Sequence, residues 1–454
     1  MNPIPASQLA EILGTTVAAG DGAVSVSGGV STDTRTVPAG AAFFALRGER
    51  FDGHAFTETA LAAGATALVV DVWNEGAPEN AAVIVVPDTL AALQRLAYWW
   101  RAQLKIPVIA ITGSNGKTST KDFATAVLSR RFKVSATKGN LNNHIGVPLT
   151  VLGTSEDCEA AVWEMGMNHS GEIAPLCEIA HPKIGIITNV GTAHIEFLGS
   201  REGIAEEKGM LARALPSDGT LFLPAGCEFY DYFRQRTKAH VIPVGNGRGL
   251  IRAENLEAGD GFSRFSMVID GEAPADVLLP VGGRHMVTNA LLAAGAAWKL
   301  GMSPEDIAAG LSATTLTGGR LRRFEWNGII IFDDTYNANP ESMAAALETL
   351  AEVPVTTGAR RIAVLGRMAE QGEHAPAAHR RTGELAARRG IMVLAVGEGA
   401  EEIANGSGSG RHFPDIESAA GWLASGSRAG DVVLFKGSRT AAIERVMNTA
   451  FPRP

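Results

Sequence analysis

The sequence predicts an α/β protein with three successive domains, and three observations support this prediction. Short apolar runs rich in β-branched residues alternate with helical patterns along the chain, which is typical of βαβ units and a mostly parallel sheet. The chain has 454 residues, enough for about three domains of ordinary size. Hydrophobic residues make up 46% of the sequence and charged residues 19%, so each domain can bury a core.

The first predicted domain, 1–86, is a small α/β domain with buried strands at 65–70 ("ATALVV") and 81–86 ("AAVIVV"). Pro87 and Asp88 end the second strand, and Asp88 can cap a helix through 89–104. The second domain, 87–315, has strands at 106–112, 159–166 and 183–190 and an alanine-rich helix at 289–301. The third domain, 316–454, restarts the alternation with strands at 328–334, 361–366, 391–397 and 431–437, which predicts a Rossmann-like domain.

Composition and charge exclude several classes of protein. The net charge of -8 and the lack of a Lys/Arg run give no basic surface for nucleic acid. Cys158, Cys177 and Cys227 are odd in number and lack metal-ligand spacing, as expected of a reduced protein. The first 14 residues lack a basic region followed by an apolar run, and no apolar stretch reaches about 18 residues. We therefore expect a cytoplasmic monomer that binds neither nucleic acid nor membrane.

A glycine-rich loop, "ITGSNGKTSTKDF" at 111–123, joins a predicted strand to a predicted helix. Such a loop presents backbone N–H groups and the positive end of a helix to an anion. Lys117 adds a cation for the β- and γ-phosphates, and the Thr118 hydroxyl can bind Mg²⁺. The spacing is G-x-x-G-K-T rather than the usual GxxxxGK[ST], and a plain strand–helix turn is the alternative. The two flanking elements favour an ATP site.

Other candidate residues leave a second interpretation open when each is taken alone. Glu164 ends a strand, where its carboxylate would face a ligand crevice or simply solvent. His194 follows another strand and is either a ligand or structural. Lys208, after two glutamates, has the pattern of a solvated helix lysine, and Asn289 that of a helix cap. The stretch "FDDTYNANPES", 332–342, fits either a ligand-binding strand end or a hydrogen-bonded turn before a helix.

Taken together, seven ordered motifs resemble one family. "TGSNGKTST", "EMG", "TNVGTAH", "EEK", "GRHMVTNALLA", "LTGGRL" and "DDTYNANPESM" are similar to the Mur ligases, ATP-dependent amide-forming enzymes of bacterial peptidoglycan synthesis. The resemblance spans essentially the whole chain, and the short loop is that family's own form. It implies an N-terminal domain for a UDP-sugar peptide, a central ATPase domain and a C-terminal Rossmann-like domain that takes the second substrate and part of the ATP.

The resemblance also implies roles for individual residues around ATP and magnesium. Those implied to bind ATP are Gly113, Ser114, Asn115, Gly116, Lys117, Thr118, Ser119, Asn289, Arg320 and Asp334. Those implied to hold Mg²⁺ are Thr118, Glu164, His194 and Lys208, the last as a carbamate formed with carbon dioxide. Lys117, Lys208 and Arg320 are the implied catalytic residues.

Within the family, "STDTRTVPAGAAFFALRGERFDGHAF", "TKGNLNNHIGVPLT" and "DDTYNANPESM" indicate the member that joins D-alanyl-D-alanine to UDP-N-acetylmuramoyl-tripeptide. The residues implied to meet these substrates are Asp33, Arg35, Arg47, Asn140, Asn142, Asn143, Tyr336, Asn337 and Asn339. One position departs from the family pattern, because Arg367 in "VLGRM" stands where an aspartate is usual. This charge reversal leaves the detail of the acceptor site open.

Three alternative functions remain open from sequence. A Mur ligase that adds a single amino acid to a UDP-muramoyl dipeptide would share the ATP site, but the "NANP" stretch argues against it. A folylpolyglutamate-type ligase would also share that site, but should lack the segment around "STDTR". A binding protein with a degenerate ATP site is disfavoured by the intact Lys117, Thr118, Glu164 and Lys208.

Overall fold

The structure is a computed structural model that describes residues 1–48 and 51–452. The chain packs as two compact units. The first comprises Met1–Ala110, Phe132–Met167 and Gly171–Lys183, and the second comprises Ile111–Arg131, Asn168–Ser170 and Ile184–Pro454. The predicted α/β class is confirmed. This division by packing is not a test of the predicted boundaries at 86 and 315, which stay predictions.

The N-terminal part of the first unit contains a five-stranded sheet in the order β2-β9-β8-β5-β4, with β2 antiparallel and the other pairs parallel. The elements are β1 (Ile4–Pro5), α1 (Ala6–Leu13), β2 (Val17–Gly20), β3 (Ser25–Val26), β4 (Val30–Ser31), β5 (Ala42–Phe44), β6 (Arg47–Gly48), β7 (Phe51–Asp52), α2 (Thr57–Ala62), β8 (Ala67–Val70), β9 (Ala82–Val85) and α3 (Thr89–Gln103). Both predicted strands are present. Asp88 caps α3 as predicted, because its carboxylate accepts hydrogen bonds from the Leu90 and Ala91 amides at 2.8 and 3.0 Å.

The strand that follows α3 leads directly into the glycine-rich loop. The elements here are β10 (Val108–Thr112), α4 (Lys117–Leu128), β11 (Val134–Ala136), α5 (Gly146–Leu152), β12 (Ala160–Glu164) and α6 (Ile173–Ala180). Strands β11 and β12 pair in parallel in the first unit. Every residue of β10 and β12 is buried, as expected for strands covered on both faces.

In the second unit, the strands from β13 to β16 pair in parallel, and β16, β17 and β18 continue as an antiparallel meander. The elements are β13 (Ile184–Ile187), α7 (Ile195–Leu198), α8 (Arg201–Ala214), β14 (Thr220–Pro224), α9 (Tyr230–Arg234), β15 (His240–Asn246), β16 (Ile251–Ala258), β17 (Ser263–Ile269), β18 (Ala275–Leu279), α10 (Arg284–Lys299) and α11 (Pro304–Ser312). The alanine-rich helix α10 begins five residues before the predicted start. Asn289 therefore lies inside the helix, and the cap position belongs to Gly283.

The C-terminal part of the second unit is a six-stranded sheet in the order β19-β20-β24-β21-β22-β23. Its elements are β19 (Arg322–Trp326), β20 (Ile329–Asp333), α12 (Pro340–Glu352), β21 (Arg361–Gly366), α13 (Ala375–Arg388), β22 (Met392–Val396), α14 (Glu401–Ser407), β23 (Arg411–Phe413), α15 (Ile416–Gly426), β24 (Val432–Lys436) and α16 (Ile443–Ala450). Only β19 is antiparallel to its neighbour. The loops after β20, β21 and β24 therefore meet at one edge of the sheet, where doubly wound folds bind their ligands.

The four strands predicted for this last region are all present, and their observed ends differ from the predicted ends by at most one residue. Across the described part of the chain, no helix combines the length and the apolar character needed to cross a membrane.

Candidate active site

The glycine-rich loop begins where β10 ends and opens α4, as the sequence predicts. Gly113 and Gly116 have φ angles of +151° and +81°. A Cβ atom at Gly113 would lie 1.8 Å from the Thr188 hydroxyl, and one at Gly116 would lie 2.7 Å from the Asn289 side-chain amide. Both positions therefore require glycine. Gly116 also occupies the N-cap position of α4 and contributes no side-chain cap there. The N-terminus of a helix is a favourable place for an anion.

Two cationic side chains reach this loop. The Lys117 ammonium donates to the Gly113 carbonyl oxygen at 2.7 Å. The Arg320 guanidinium donates to the Thr118 hydroxyl at 2.8 Å, although the two residues are 202 positions apart in the chain. The same guanidinium stacks on the Tyr336 ring, 4.3 Å from its centroid. Three residues predicted to share one site thus lie together: Lys117, Thr118 and Arg320.

The residues that follow β13 hold the loop in place. Asn189 accepts from the Ser114 amide through its carbonyl oxygen at 3.2 Å and from the Asn115 amide through its side-chain oxygen at 2.9 Å. The Thr188 hydroxyl donates to the Asn115 carbonyl oxygen at 2.5 Å. Thr188 and Asn189 are not among the residues predicted from the sequence. Their position directly after a buried strand, in the motif "TNVGTAH", was the available signal.

Lys208 lies in the middle of α8 and is 2% exposed. Burial lowers the pKa of its ammonium well below the ordinary value, the positive charge of Lys117 lowers it further, and Glu207 opposes the shift. The interpretation of Lys208 as a solvated helix lysine is therefore wrong. The charge of Lys117 in the glycine-rich loop thus acts on a buried lysine whose pKa is lowered, and the neutral form of an amine is the one that reacts with electrophiles.

Glu164 is the last residue of β12, in the first unit, and it is 1% exposed, so the solvent-facing interpretation is wrong. One carboxylate oxygen accepts from the Asn142 side-chain amide at 3.3 Å. The other oxygen is buried and lacks a hydrogen-bond partner within residues 1–48 and 51–452. A buried carboxylate oxygen of this kind suits a hard cation such as Mg²⁺. The described residues contain no group of three or more His, Cys, Asp or Glu side chains that could hold a metal by themselves.

His194 starts the short helix α7 with a left-handed backbone, at φ +64°. Its Nδ1 atom lies 2.5 Å from a carboxylate oxygen of Glu370, in the loop after β21. Contact with His194 lowers the pKa of the Glu370 carboxyl. The Nδ1 edge of the ring therefore faces Glu370 at close range, although this contact lacks the geometry of a hydrogen bond. The metal role of His194 stays a prediction.

Asp334 is held by a lysine that the sequence analysis missed. Its carboxylate accepts from the Leu321 amide at 3.2 Å and from the Lys436 ammonium at 2.6 Å. Burial raises the pKa of Asp334, and Lys436 opposes this shift. Burial and the positive charge of Lys436 lower the pKa of His285 to about 4. The His285 ring is therefore neutral at pH 7. A lysine that ends an otherwise apolar strand, as in "DVVLFKG", was the signal for Lys436.

The segment that follows β20 forms hydrogen bonds both within itself and with residues distant in the sequence. The Asn337 side chain accepts from the Ala338 amide at 2.8 Å, and its carbonyl oxygen accepts from Lys436 at 2.9 Å. The Asn339 side chain pairs reciprocally with that of Asn115, at 3.0 and 2.8 Å. Asn339, one of the residues predicted to bind the dipeptide, thus contacts the glycine-rich loop.

The residues implied to meet the UDP-sugar peptide form hydrogen bonds with one another or with neighbouring residues. Asp33 accepts from Arg35 at 2.9 Å, and Arg47 donates to Asp71 at 2.7 Å and also to Asp52. In the segment before α5, Asn143 accepts from the Gly146 amide at 2.8 Å, and the Asn140 carbonyl oxygen accepts from the Asn142 amide at the same distance. Their substrate roles stay predictions.

Arg367, the residue that departs from the family pattern, is exposed at the carboxyl end of β21. Its guanidinium lies 3.4 Å from the Thr440 hydroxyl. It lines a cavity of about 350 Å³ together with Glu398, Asp415 and Arg445. Arg367 therefore places a positive charge in a cavity at the carboxyl edge of this sheet, where the family pattern has an aspartate.

Comparisons with known protein families match most of the chain. Residues 27–100 match "Mur ligase family, catalytic domain", residues 111–297 match "Mur ligase middle domain", and residues 319–439 match "Mur ligase, glutamate ligase domain".

Individual relatives are similar over nearly their full length. The UDP-N-acetylmuramoyl-tripeptide–D-alanyl-D-alanine ligase of Synechocystis sp. is 39% identical over 92% of this chain and 91% of its own. The ligase of the same name from Escherichia coli is 36% identical over 98% of both chains. Among solved structures, MurF from Acinetobacter baumannii has a TM-score of 0.91 at 32% identity and covers both chains fully. MurF ligase from Thermotoga maritima, in complex with ADP, has a TM-score of 0.83 at 28% identity, over 93% of this chain and 96% of its own.

Proposed function

The chain belongs to the Mur ligase family, and we propose that it is an ATP-dependent ligase that joins D-alanyl-D-alanine to UDP-N-acetylmuramoyl-tripeptide. The relatives of that name match over nearly the whole chain, including the N-terminal segment that would bind the UDP-sugar peptide. The observation that carries the proposal is the approach of Lys117 and Arg320 to the glycine-rich loop, together with a buried Lys208 whose pKa is lowered in part by the charge of Lys117. The reaction would belong to cytoplasmic synthesis of the peptidoglycan precursor.

The proposed reaction needs this concentration of positive charge. A carboxylate is a poor electrophile at neutral pH, so the peptide carboxylate first attacks the γ-phosphate of ATP, which forms an acyl phosphate and releases ADP. The amine of D-alanyl-D-alanine then attacks the acyl carbon and expels phosphate. The first step brings two anions together, and catalysis depends on positioning them and neutralising their charge. Lys117 and Arg320 supply two positive charges at the loop for this purpose.

For ATP we assign the phosphates to the loop and the adenosine to residues on two other elements. We assign Arg320 to the γ-phosphate. The loop residues assigned to the phosphates are Gly113, Ser114, Asn115, Gly116, Lys117, Thr118 and Ser119. Asn289 lies against Gly116, which supports its place beside the nucleotide. Asp334 is assigned to the adenosine, with its carboxylate oriented by Lys436.

For magnesium we assign Thr118, Glu164, His194 and a carbamate on Lys208. The buried, unpartnered oxygen of Glu164 supports an oxygen-ligated cation. When bound, the ion would neutralise charge on the transferring phosphoryl group. The second substrate is assigned to Tyr336, Asn337 and Asn339, and the UDP-sugar peptide to Asp33, Arg35, Arg47, Asn140, Asn142 and Asn143.

A product assay tests the proposed function directly. The protein is incubated with ATP, Mg²⁺, D-alanyl-D-alanine and either the lysine- or the diaminopimelate-containing UDP-muramoyl tripeptide, and the products are weighed by mass spectrometry. We expect one dipeptide to be added to the tripeptide, with one ADP formed per product. Addition of a single amino acid to a UDP-muramoyl dipeptide, or of glutamate to a folate, would replace the proposal with the corresponding alternative.

The Asn142–Glu164 bond leads to a separate prediction for Asn142→Ala. Because the Asn142 amide orients the Glu164 carboxylate, its removal is expected to weaken metal binding by about tenfold, as for other residues that support metal ligands. The Kd of the paramagnetic substitute Mn²⁺ is measured by electron paramagnetic resonance. Asn140→Ala, which removes an exposed amide in the same segment, should leave this Kd unchanged. A higher KM for the tripeptide with unchanged metal affinity would leave Asn142 with its substrate role alone.

A further inference from the structure

We propose that Glu341 is a positioning residue for the glycine-rich loop, acting through the segment 188–192, and that Asn339 supports the same loop directly. Both residues lie at the start of α12 in the C-terminal part of the second unit. This inference deepens the proposed function, because it concerns how the same nucleotide site is assembled.

Glu341 is presented by a well-defined helix start. Asn339 caps α12 by accepting from the Ser342 amide at 3.0 Å, and the Ser342 hydroxyl lies 3.0 Å from the Asn339 amide in return. Pro340 fills the first helical position. This arrangement fixes the backbone of the first turn, so the Glu341 carboxylate is projected from a rigid support.

Both oxygens of the Glu341 carboxylate accept hydrogen bonds from one residue, Thr192. The Thr192 amide donates to one oxygen at 3.0 Å, and the Thr192 hydroxyl donates to the other at 3.1 Å. A Cβ atom at Gly191 would lie 2.7 Å from the carboxylate, so this close approach depends on glycine. Hydrogen bonds to an ionised group are about twice as strong as neutral ones, and two of them fix the orientation of Thr192.

The segment that Glu341 holds is the one that supports the glycine-rich loop. The Gly191 amide donates to the Ser114 hydroxyl at 2.9 Å, one residue from Thr192. Asn189, two residues earlier, accepts from the Asn115 amide at 2.9 Å. The segment therefore contacts Glu341 on one side and two loop residues on the other.

An independent contact joins the same helix start to the same loop. The side-chain amides of Asn339 and Asn115 exchange two hydrogen bonds, and Asn339 is 7% exposed. The beginning of α12 thus reaches Asn115 directly through Asn339 and indirectly through Glu341. Because Asn115 is followed by Gly116 and Lys117, its backbone orientation sets the geometry of the phosphate-binding turn.

The test compares substitutions at Glu341 with a matched change on the same helix. Glu341→Ala is expected to weaken ADP binding by about tenfold, the cost of losing a hydrogen-bonded charged group. It should also speed amide hydrogen exchange in 113–116 and 188–192. Glu341→Gln keeps one acceptor and can donate to the Thr192 hydroxyl, so it should restore most of the affinity. Glu348→Ala removes a carboxylate that pairs with Arg389 at 2.8 Å further along α12, and it should change neither measurement.

Thr192→Val provides a second variant in case Glu341→Ala does not fold, because it removes only the hydroxyl partner. It should shift the ADP Kd and the exchange at 113–116 in the same direction by a smaller factor. Unchanged ADP affinity and unchanged exchange at 113–116 in folded Glu341→Ala would overturn the proposal, as would faster exchange confined to α12. These measurements require no muramoyl substrate, so their outcome is separate from that of the ligation assay.

Discussion

Lys117→Ala is expected to fold as the parent does and to lose ligation activity by a factor of about 100 to 1,000. Lys117 is the mobile cation of the loop, and its ammonium already lies 2.7 Å from the Gly113 carbonyl oxygen. Phosphoryl transfer depends on positioning and charge neutralisation more than on covalent participation of the protein, so removing one preorganised charge lowers kcat strongly. Product formation is measured with saturating substrates, and the Kd of ADP is measured separately.

The controls separate the loss of one charge at the loop from general damage to the protein. Lys105→Ala removes an exposed lysine shortly before β10 and should retain parental activity. Circular dichroism and the thermal midpoint should match the parent for both variants, because the bond from Lys117 to the Gly113 carbonyl oxygen lies within a turn whose glycines set the backbone. Near-parental kcat in a folded Lys117→Ala protein would contradict the assignment of this loop to phosphate.

The sequence predicts much of the fold because its signals are local. Buried parallel strands are continuous apolar runs, and the predicted strands of all three regions are present with small shifts at their ends. The cap at Asp88 is equally local, because a single side chain bonds two amides close to it in the chain. Helix α10 was placed five residues late because Gly283, at its N-cap position, contributes no side-chain hydrogen bond of the kind that Ser, Thr, Asp and Asn provide.

The site was harder to predict where a role depends on tertiary contacts. Lys208 follows two glutamates, a pattern typical of a solvated helix face, yet α8 buries Lys208 and Glu207 and exposes Glu206. In the sequence, Glu341 is an ordinary acidic residue in the first turn of a helix, where a negative charge is favourable. Only its contact with Thr192 in the structure indicates a further role. Sequence periodicity cannot reveal which neighbour a side chain meets 149 residues away.

Lys208→Ala is expected to bind nucleotide but to catalyse poorly, and a small carboxylic acid in the buffer is expected to restore part of its activity. In our proposal the neutral amine of Lys208 adds to the carbon of CO₂, an N–C bond forms, and one proton is released, which leaves a carbamate anion. The carbamate offers two oxygens, the ligand type that Mg²⁺ prefers and an ammonium cannot provide. Acetate or formate would supply a carboxylate in the space that the alanine variant leaves.

The surroundings of Lys208 favour the neutral amine on which this chemistry depends. The side chain is 2% exposed, and burial lowers its pKa, with a further contribution from the positive charge of Lys117. Compared with the ammonium form, a carbamate would replace an unfavourable pair of like charges with an attractive one, because the new anion would lie near the Lys117 ammonium. Burial alone therefore disfavours the bare ammonium, and the neighbouring charge favours the anion.

Two measurements test this assignment, and one does not depend on activity. Protein equilibrated with carbon-13-labelled CO₂ should show a carbamate signal by NMR that is absent from Lys208→Ala and present in Lys299→Ala, which removes an exposed lysine at the end of α10. Acetate should raise the activity of Lys208→Ala and leave that of Lys299→Ala unchanged. A Lys208→Ala enzyme nearly as active as the parent, or a parent enzyme that lacks the labelled carbamate while fully active, would show that Lys208 acts only as a buried amine within α8.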